Sequence, residues 1–68
     1  MDDKVAATAD ALELLHMNQQ AIRASVEEIA LWLRARGSED TFHNAMVALQ
    51  AMDTNACAIA SVIDRLRN

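Results

Sequence analysis

The stretch that decides the fold runs from Val5 to Leu33 and reads VAATADALELLHMNQQAIRASVEEIALWL. Alternating steps of three and four residues select nine positions in it, of which seven are aliphatic. These positions are Val5, Thr8, Leu12, Leu15, Gln19, Ile22, Val26, Ile29 and Leu33. A 3–4 spacing held over four heptads is typical of a long helix that packs along its whole length.

A second run with the same spacing follows the single glycine of the chain, Gly37. Its members are Phe42, Ala45, Leu49, Met52, Ala56, Ile59, Ile63 and Leu66. Arginines precede Gly37, where positive charge suits the end of a helix, and Ser38 follows it as an N-cap residue. We therefore predict helix 1 at about 3–36, a turn at 37–38 and helix 2 at about 39–66, all within one domain spanning 1–68.

The predicted fold class is all-α, since proline is absent and the apolar residues follow a helical period. So short a connection makes the two helices an antiparallel hairpin. Two helices cannot cover both apolar faces, so we expect two hairpins to associate as a four-helix bundle. The predicted interface core comprises Leu12, Leu15, Gln19, Ile22, Val26, Ile29, Leu33, Phe42, Leu49, Met52, Ile59, Ile63 and Leu66.

The charge of the chain argues against nucleic acid as a partner. Ten acidic and six basic residues give a formal net charge of −4. The basic residues form no continuous stripe, whereas binding to phosphates requires one. No signal peptide and no uninterrupted apolar run of about 20 residues is evident, and the single cysteine, Cys57, has no disulfide partner. These features predict an acidic cytoplasmic protein that does not enter membranes.

Polar residues cluster at the predicted middle of the bundle. They are His16, Asn18, Gln19, Gln20, Asp53, Thr54 and Asn55. A polar residue on a packing seam fixes register and oligomeric state, and the same layer could alternatively bind a small ligand.

Glu13 and His16 form a Glu-x-x-His unit, which carboxylate-bridged di-metal bundles use. These two residues are weak metal candidates because helix 2 has no glutamate beyond Glu39 to complete the set. No cofactor and no catalytic residue is predicted, since neither His43 nor Cys57 has a partner at catalytic spacing.

Four large apolar residues lie off the main seam and form a possible partner surface: Leu14, Met17, Leu31 and Trp32. They favour a noncatalytic protein that acts as a homodimer and binds another protein. An obligate heteromeric partner, such as a secretion chaperone or antitoxin, and a small-ligand or metal-binding bundle remain alternatives. The architecture resembles that of Rop-like plasmid regulators, although the basic surface that binds RNA in those proteins is missing here.

Overall fold

The computed structural model describes residues 2–68, which form two α-helices, α1 (Asp3–Ala35) and α2 (Glu39–Arg67). The helices run antiparallel and contact each other along their length, so the predicted all-helical hairpin is confirmed. The hairpin measures 52 × 15 × 11 Å. That length is close to the roughly 50 Å expected for the 33 residues of α1 at 1.5 Å per residue.

Helix α1 begins at a side-chain cap. The Oδ1 atom of Asp2 accepts a hydrogen bond from the Val5 N–H at 2.9 Å. This bond satisfies one of the backbone donors that a helix start leaves free, and Asp3 adds a negative charge at the positive end of the helix dipole. Asp2 is therefore the N-cap residue of α1.

The turn between the helices is a Schellman motif centred on Gly37. Its φ of 93° is left-handed, a conformation that glycine adopts without steric cost. The Ser38 N–H donates to the Leu33 carbonyl at 2.9 Å, and the Gly37 N–H donates to the Arg34 carbonyl at 3.0 Å. These two bonds end α1 and reverse the chain. Ser38 precedes α2, but its side chain makes no capping hydrogen bond.

Among residues 2–68, four are buried where the helices meet: Ala9, Ala30, Leu49 and Ile63. Ala9 and Ala30 are three heptads apart on α1, and Leu49 and Ile63 are two heptads apart on α2. Contact that recurs every seven residues follows a period of 3.5, the geometry of a left-handed coiled coil. The buried residues are alanines on α1 and large aliphatic residues on α2, a combination that allows closely spaced helix axes.

Helix α2 presents its whole 3–4 row to α1, but α1 does not do the same in return. All eight residues of the α2 row are buried or half-buried. On α1, Val5, Leu12, Val26 and Leu33 are half-buried, while Leu15, Ile22 and Ile29 keep 60%, 51% and 58% of their surface exposed. One half of the α1 row therefore packs in the hairpin and the other half faces outward.

Helix α2 is also long and apolar enough to cross a membrane by length and composition, with a mean hydropathy of 1.4 over its most apolar 18 residues. A helix from the core of a water-soluble bundle passes the same test. Only 11% of that stretch is buried within a single hairpin, so much of its apolar surface has no cover.

Replacing Gly37 tests the turn. A Cβ atom at Gly37 would meet no atom within 4 Å, so Gly37→Ala should cost only the backbone strain of a left-handed alanine, about 1–2 kcal/mol. Gly37→Asn should cost less, since asparagine tolerates this conformation. Urea unfolding at one fixed protein concentration measures both. An alanine variant as stable as the wild type would contradict the assigned turn.

Candidate functional site

A groove opens between the helices near the middle of the hairpin, with a volume of about 440 Å³. Gln19, the central residue of α1, stands at one wall, and Ala56 faces it from α2. The groove exists because Ala56 supplies only a methyl group where other layers of α2 supply Leu49 or Ile63. Its lining consists of Leu12, Leu15, His16, Gln19, Gln20, Met52, Asn55, Ala56 and Ile59.

Part of the predicted polar cluster lies in the walls of the groove. His16, Gln19, Gln20 and Asn55 line it together. The Nδ1 atom of His16 is buried and has no hydrogen-bond partner among residues 2–68. The site is therefore an apolar groove with a few amide groups and one imidazole group in its walls.

The remaining polar residues of the cluster point elsewhere. Asp53 pairs with Arg23, and the Thr54 hydroxyl donates to the Gln50 carbonyl at 3.2 Å within its own helix. Asn18 is exposed and does not line the groove. The predicted polar layer thus divides between the groove and the helix surfaces.

The weak metal candidates, Glu13 and His16, lie in different surroundings. The Glu13 carboxylate accepts a hydrogen bond from Arg67, whereas His16 lines the groove. Among residues 2–68, no group of three or more His, Cys, Asp and Glu side chains is placed to hold a metal ion. Cys57 is exposed and unbridged.

Ion pairs join the helices on the side away from the groove. The Arg23 guanidinium donates two hydrogen bonds to Asp53, from Nε at 2.6 Å and from Nη2 at 3.0 Å, and one to Glu27 at 2.6 Å. Near the open end, Arg67 donates to Asp10 at 2.8 Å and also to Glu13. Arg23 and Arg67 therefore link α1 to α2 along one edge of the hairpin.

The same pairing changes the acid–base behaviour of one carboxyl. The hydrogen bonds from Arg23 hold the pKa of Asp53 below its usual value, since they favour the ionised form. In the same way, the hydrogen bonds that Arg67 donates raise its pKa; the bond to Asp10 contributes most, followed by the bond to Glu13. Both pairs reach solvent, so their attraction is screened by salt.

Exposed apolar residues occur at several heptad positions of α1. Leu15, Ile22 and Ile29 recur every seven residues, and Leu15 lines the groove. Trp32 follows Ile29 by one helical turn, keeps 55% of its surface exposed and lies under the Arg36 guanidinium at 4.3 Å.

Leu14, Met17 and Leu31 lie on the outer side of α1 and are 63%, 60% and 47% exposed. All four residues of the predicted partner surface, Leu14, Met17, Leu31 and Trp32, are therefore exposed, and their role in binding stays a prediction.

Several contact residues carry no strong sequence signal. Ala9 and Ala30 are the most buried residues of α1, yet alanine is common throughout this sequence and reveals no preference for one face. Arg23 and Arg67 pair across the helices with partners 30 to 57 residues away. The pair of Arg23 with Glu27, by contrast, joins residues one turn apart on α1.

No family model, curated protein or solved structure matches this chain.

Acid unfolding of an Asp53→Asn variant tests the ion-pair edge. Because the folded-state pKa of Asp53 is depressed, the pair stabilises the fold above the usual carboxyl pKa of about 3.9 and is lost as pH falls below it. Asp53→Asn should melt lower at pH 7 and lose less stability on acidification. Asp64→Asn, an exposed acid of α2 outside these pairs, is the control and should follow the wild-type pH profile. Parallel profiles for wild type and Asp53→Asn would refute the pairing.

Proposed function

We propose that the protein is a noncatalytic interaction module that works as a homodimer, two hairpins associating through their groove sides into a four-helix bundle. The observation that carries this proposal is the outward-facing row Leu15, Ile22 and Ile29. Each of these side chains is at least half exposed in one hairpin. A regular row of this kind is typical of a helix that packs against a second neighbour.

The angle between the two contacts of α1 supports a four-helix bundle. Successive residues of a coiled-coil helix are about 103° apart around the helix axis. Viewed down the axis of α1, the centre of its 3–4 row therefore lies about 50° from the line to α2. In a square bundle the central axis lies about 45° from the line to each neighbouring helix. The apolar row of α1 thus points to where the centre of a four-helix bundle would lie.

The distribution of charge supports the same face. No residue is charged at the heptad positions that flank the groove. These positions run from Thr8 to Trp32 on α1 and from Ala45 to Leu66 on α2. These positions are Thr8, Ala11, Leu15, Asn18, Ile22, Ser25, Ile29, Trp32, Ala45, Ala48, Met52, Asn55, Ile59, Val62 and Leu66. The opposite flank carries the ion pairs of Arg23 and Arg67. A charge-free face can be buried without leaving an ion unpaired.

The surface area also favours association. A compact monomer of 7.5 kDa exposes about 4,200 Å², whereas this hairpin exposes 5131 Å². The exposed parts of Leu15, Ile22, Ile29, Trp32 and Val62 amount to on the order of 500 Å² per copy. Two copies would then bury about 1,000 Å², the lower limit for a specific protein interface.

The first test replaces the outward row with polar residues. The triple variant Leu15→Gln, Ile22→Gln, Ile29→Gln should lose the dimer and much of its helicity, because a lone hairpin encloses few residues. Light scattering across a wide concentration range gives the mass, and circular dichroism gives the helicity.

Val47→Gln is the matched control, because Val47 is 55% exposed but lies on the outer side of α2; it should leave the dimer intact. A helical wild-type monomer at every concentration would refute the proposal. A poorly folded wild-type monomer would instead favour the obligate heteromeric partner.

The second test concerns Gln19 and the orientation of the two hairpins. If the turns lie at opposite ends of the dimer, the two-fold axis passes the middle of α1 and brings Gln19 close to the partner's Gln19. A polar residue at such a layer lowers stability while restricting alignment. Gln19→Leu should therefore raise the melting temperature and admit the alternative orientation.

Disulfide formation reports that change. With Cys57 replaced by serine, Ser38→Cys places one thiol at each turn, and the turns should lie too far apart to cross-link. Addition of Gln19→Leu should allow a fraction to cross-link. Full cross-linking without Gln19→Leu would show that the turns share one end.

A further inference from the structure

Helix α1 carries a second 3–4 row on its outer side, which we call the outer seam. Its members are Leu14, Met17, Ala21, Ala24, Glu28, Leu31 and Ala35. All seven are exposed. The centre of this row lies roughly 150° around the helix from the centre of the row that includes Leu15, Ile22 and Ile29. The outer seam therefore stays exposed when two hairpins associate through their groove sides.

Helix α2 has no equivalent of the outer seam. At the matching heptad positions it carries small or polar residues, and only Val47 is a large exposed aliphatic residue. The other positions are Asn44, Ala51, Thr54, Ala58, Ser61 and Arg65. Packing in a four-helix bundle requires only one apolar face on each helix. The bundle therefore does not account for the second apolar face of α1.

The shape of the outer seam fits a helix. Large side chains stand at both ends, with Leu14 and Met17 toward the N-terminus and Leu31 toward the turn. Ala21 and Ala24 lie between them and leave the helix backbone close to the surface. Small residues at the contact allow two helix axes to approach at the short end of the usual 8–10 Å range.

The charge of the outer seam argues against a second copy as its occupant. If two outer seams pack antiparallel with Leu14 against Leu31, Glu28 lies against Met17. If they pack parallel and in register, the two Glu28 carboxylates meet. Either arrangement would bury a carboxylate without a partner, which is strongly unfavourable.

The nearby cations do not supply that partner. Arg23 is held by Asp53 and Glu27, and Arg34 lies over the Phe42 ring at 4.9 Å. Arg36 covers Trp32 on a different side of α1. A cation that pairs with Glu28 in a contact on the outer seam must therefore be supplied by the binding partner.

We propose that the outer seam of α1 is the docking site for one amphipathic helix of a different protein. That helix would carry aliphatic side chains at 3–4 spacing and a lysine or arginine opposite Glu28. The aliphatic residues would pack over Ala21 and Ala24, and the cation would neutralise the carboxylate as the contact is desolvated. The proposal goes beyond homodimer formation and uses the face that the dimer leaves free.

A pair of designed peptides tests the proposal. Both are amphipathic helices about three heptads long with leucine at the seam positions. One has lysine at the position opposite Glu28, and the other has glutamate there. Fluorescence anisotropy with the purified full chain measures their affinities. The lysine peptide should bind at least about tenfold more tightly, and Glu28→Lys should reverse the preference.

Two further variants locate the contact. The double variant Leu14→Gln, Leu31→Gln should abolish binding. Val47→Gln changes a residue of α2 that is about as exposed as Leu14 and Leu31, and this variant should bind as the wild type does. Light scattering should give each variant the wild-type mass, which separates failure at the outer seam from failure of the dimer. Equal affinity for the two peptides, no binding of either, or no reversal in Glu28→Lys would overturn the proposal.

Discussion

The close contact of α1 with α2 through Ala9 and Ala30 governs the rest of the structure. These alanines are almost completely buried, as are the α2 residues Leu49 and Ile63, and such small side chains allow two helix axes to lie close together. Because a helix can turn only one face toward a neighbour, this contact rotates Leu15, Ile22 and Ile29 away from α2. The hairpin is thus held together by one side of α1, while Leu15, Ile22 and Ile29 remain at least half exposed.

This rotation gives the hairpin two chemically different edges. On one edge, Arg23 and Arg67 pair with acidic residues of the opposite helix, and the charges reach solvent. On the other edge lies the groove around Gln19, bordered by uncharged residues. Association through the charged edge would require the desolvation of ion pairs, whereas association through the groove edge would not. The ion pairs therefore favour one face of the hairpin for burial as well as joining its helices.

Single polar residues within apolar rows provide specificity on both surfaces that we propose for binding. Gln19 interrupts the row that faces the groove, and Glu28 interrupts the outer seam. Each lowers the gain from nonspecific packing, because a polar group in a contact must find a partner or lose its hydration. The neutral amide of Gln19 can pair with an identical residue, whereas the carboxylate of Glu28 requires a cation. This difference is why we propose a second copy for one surface and a different protein for the other.

The sequence by itself determined the two helices, their ends and their antiparallel hairpin, because heptad spacing, Asp2 and Gly37 act over one or a few turns. It also indicated the apolar rows. Only the tertiary structure decided which half of the α1 row packs inside the hairpin. It also brought Arg67 to Asp10 and Glu13. The physical reason is that these features depend on the rotation of each helix about its own axis, which many small contacts such as those of Ala9 and Ala30 set together.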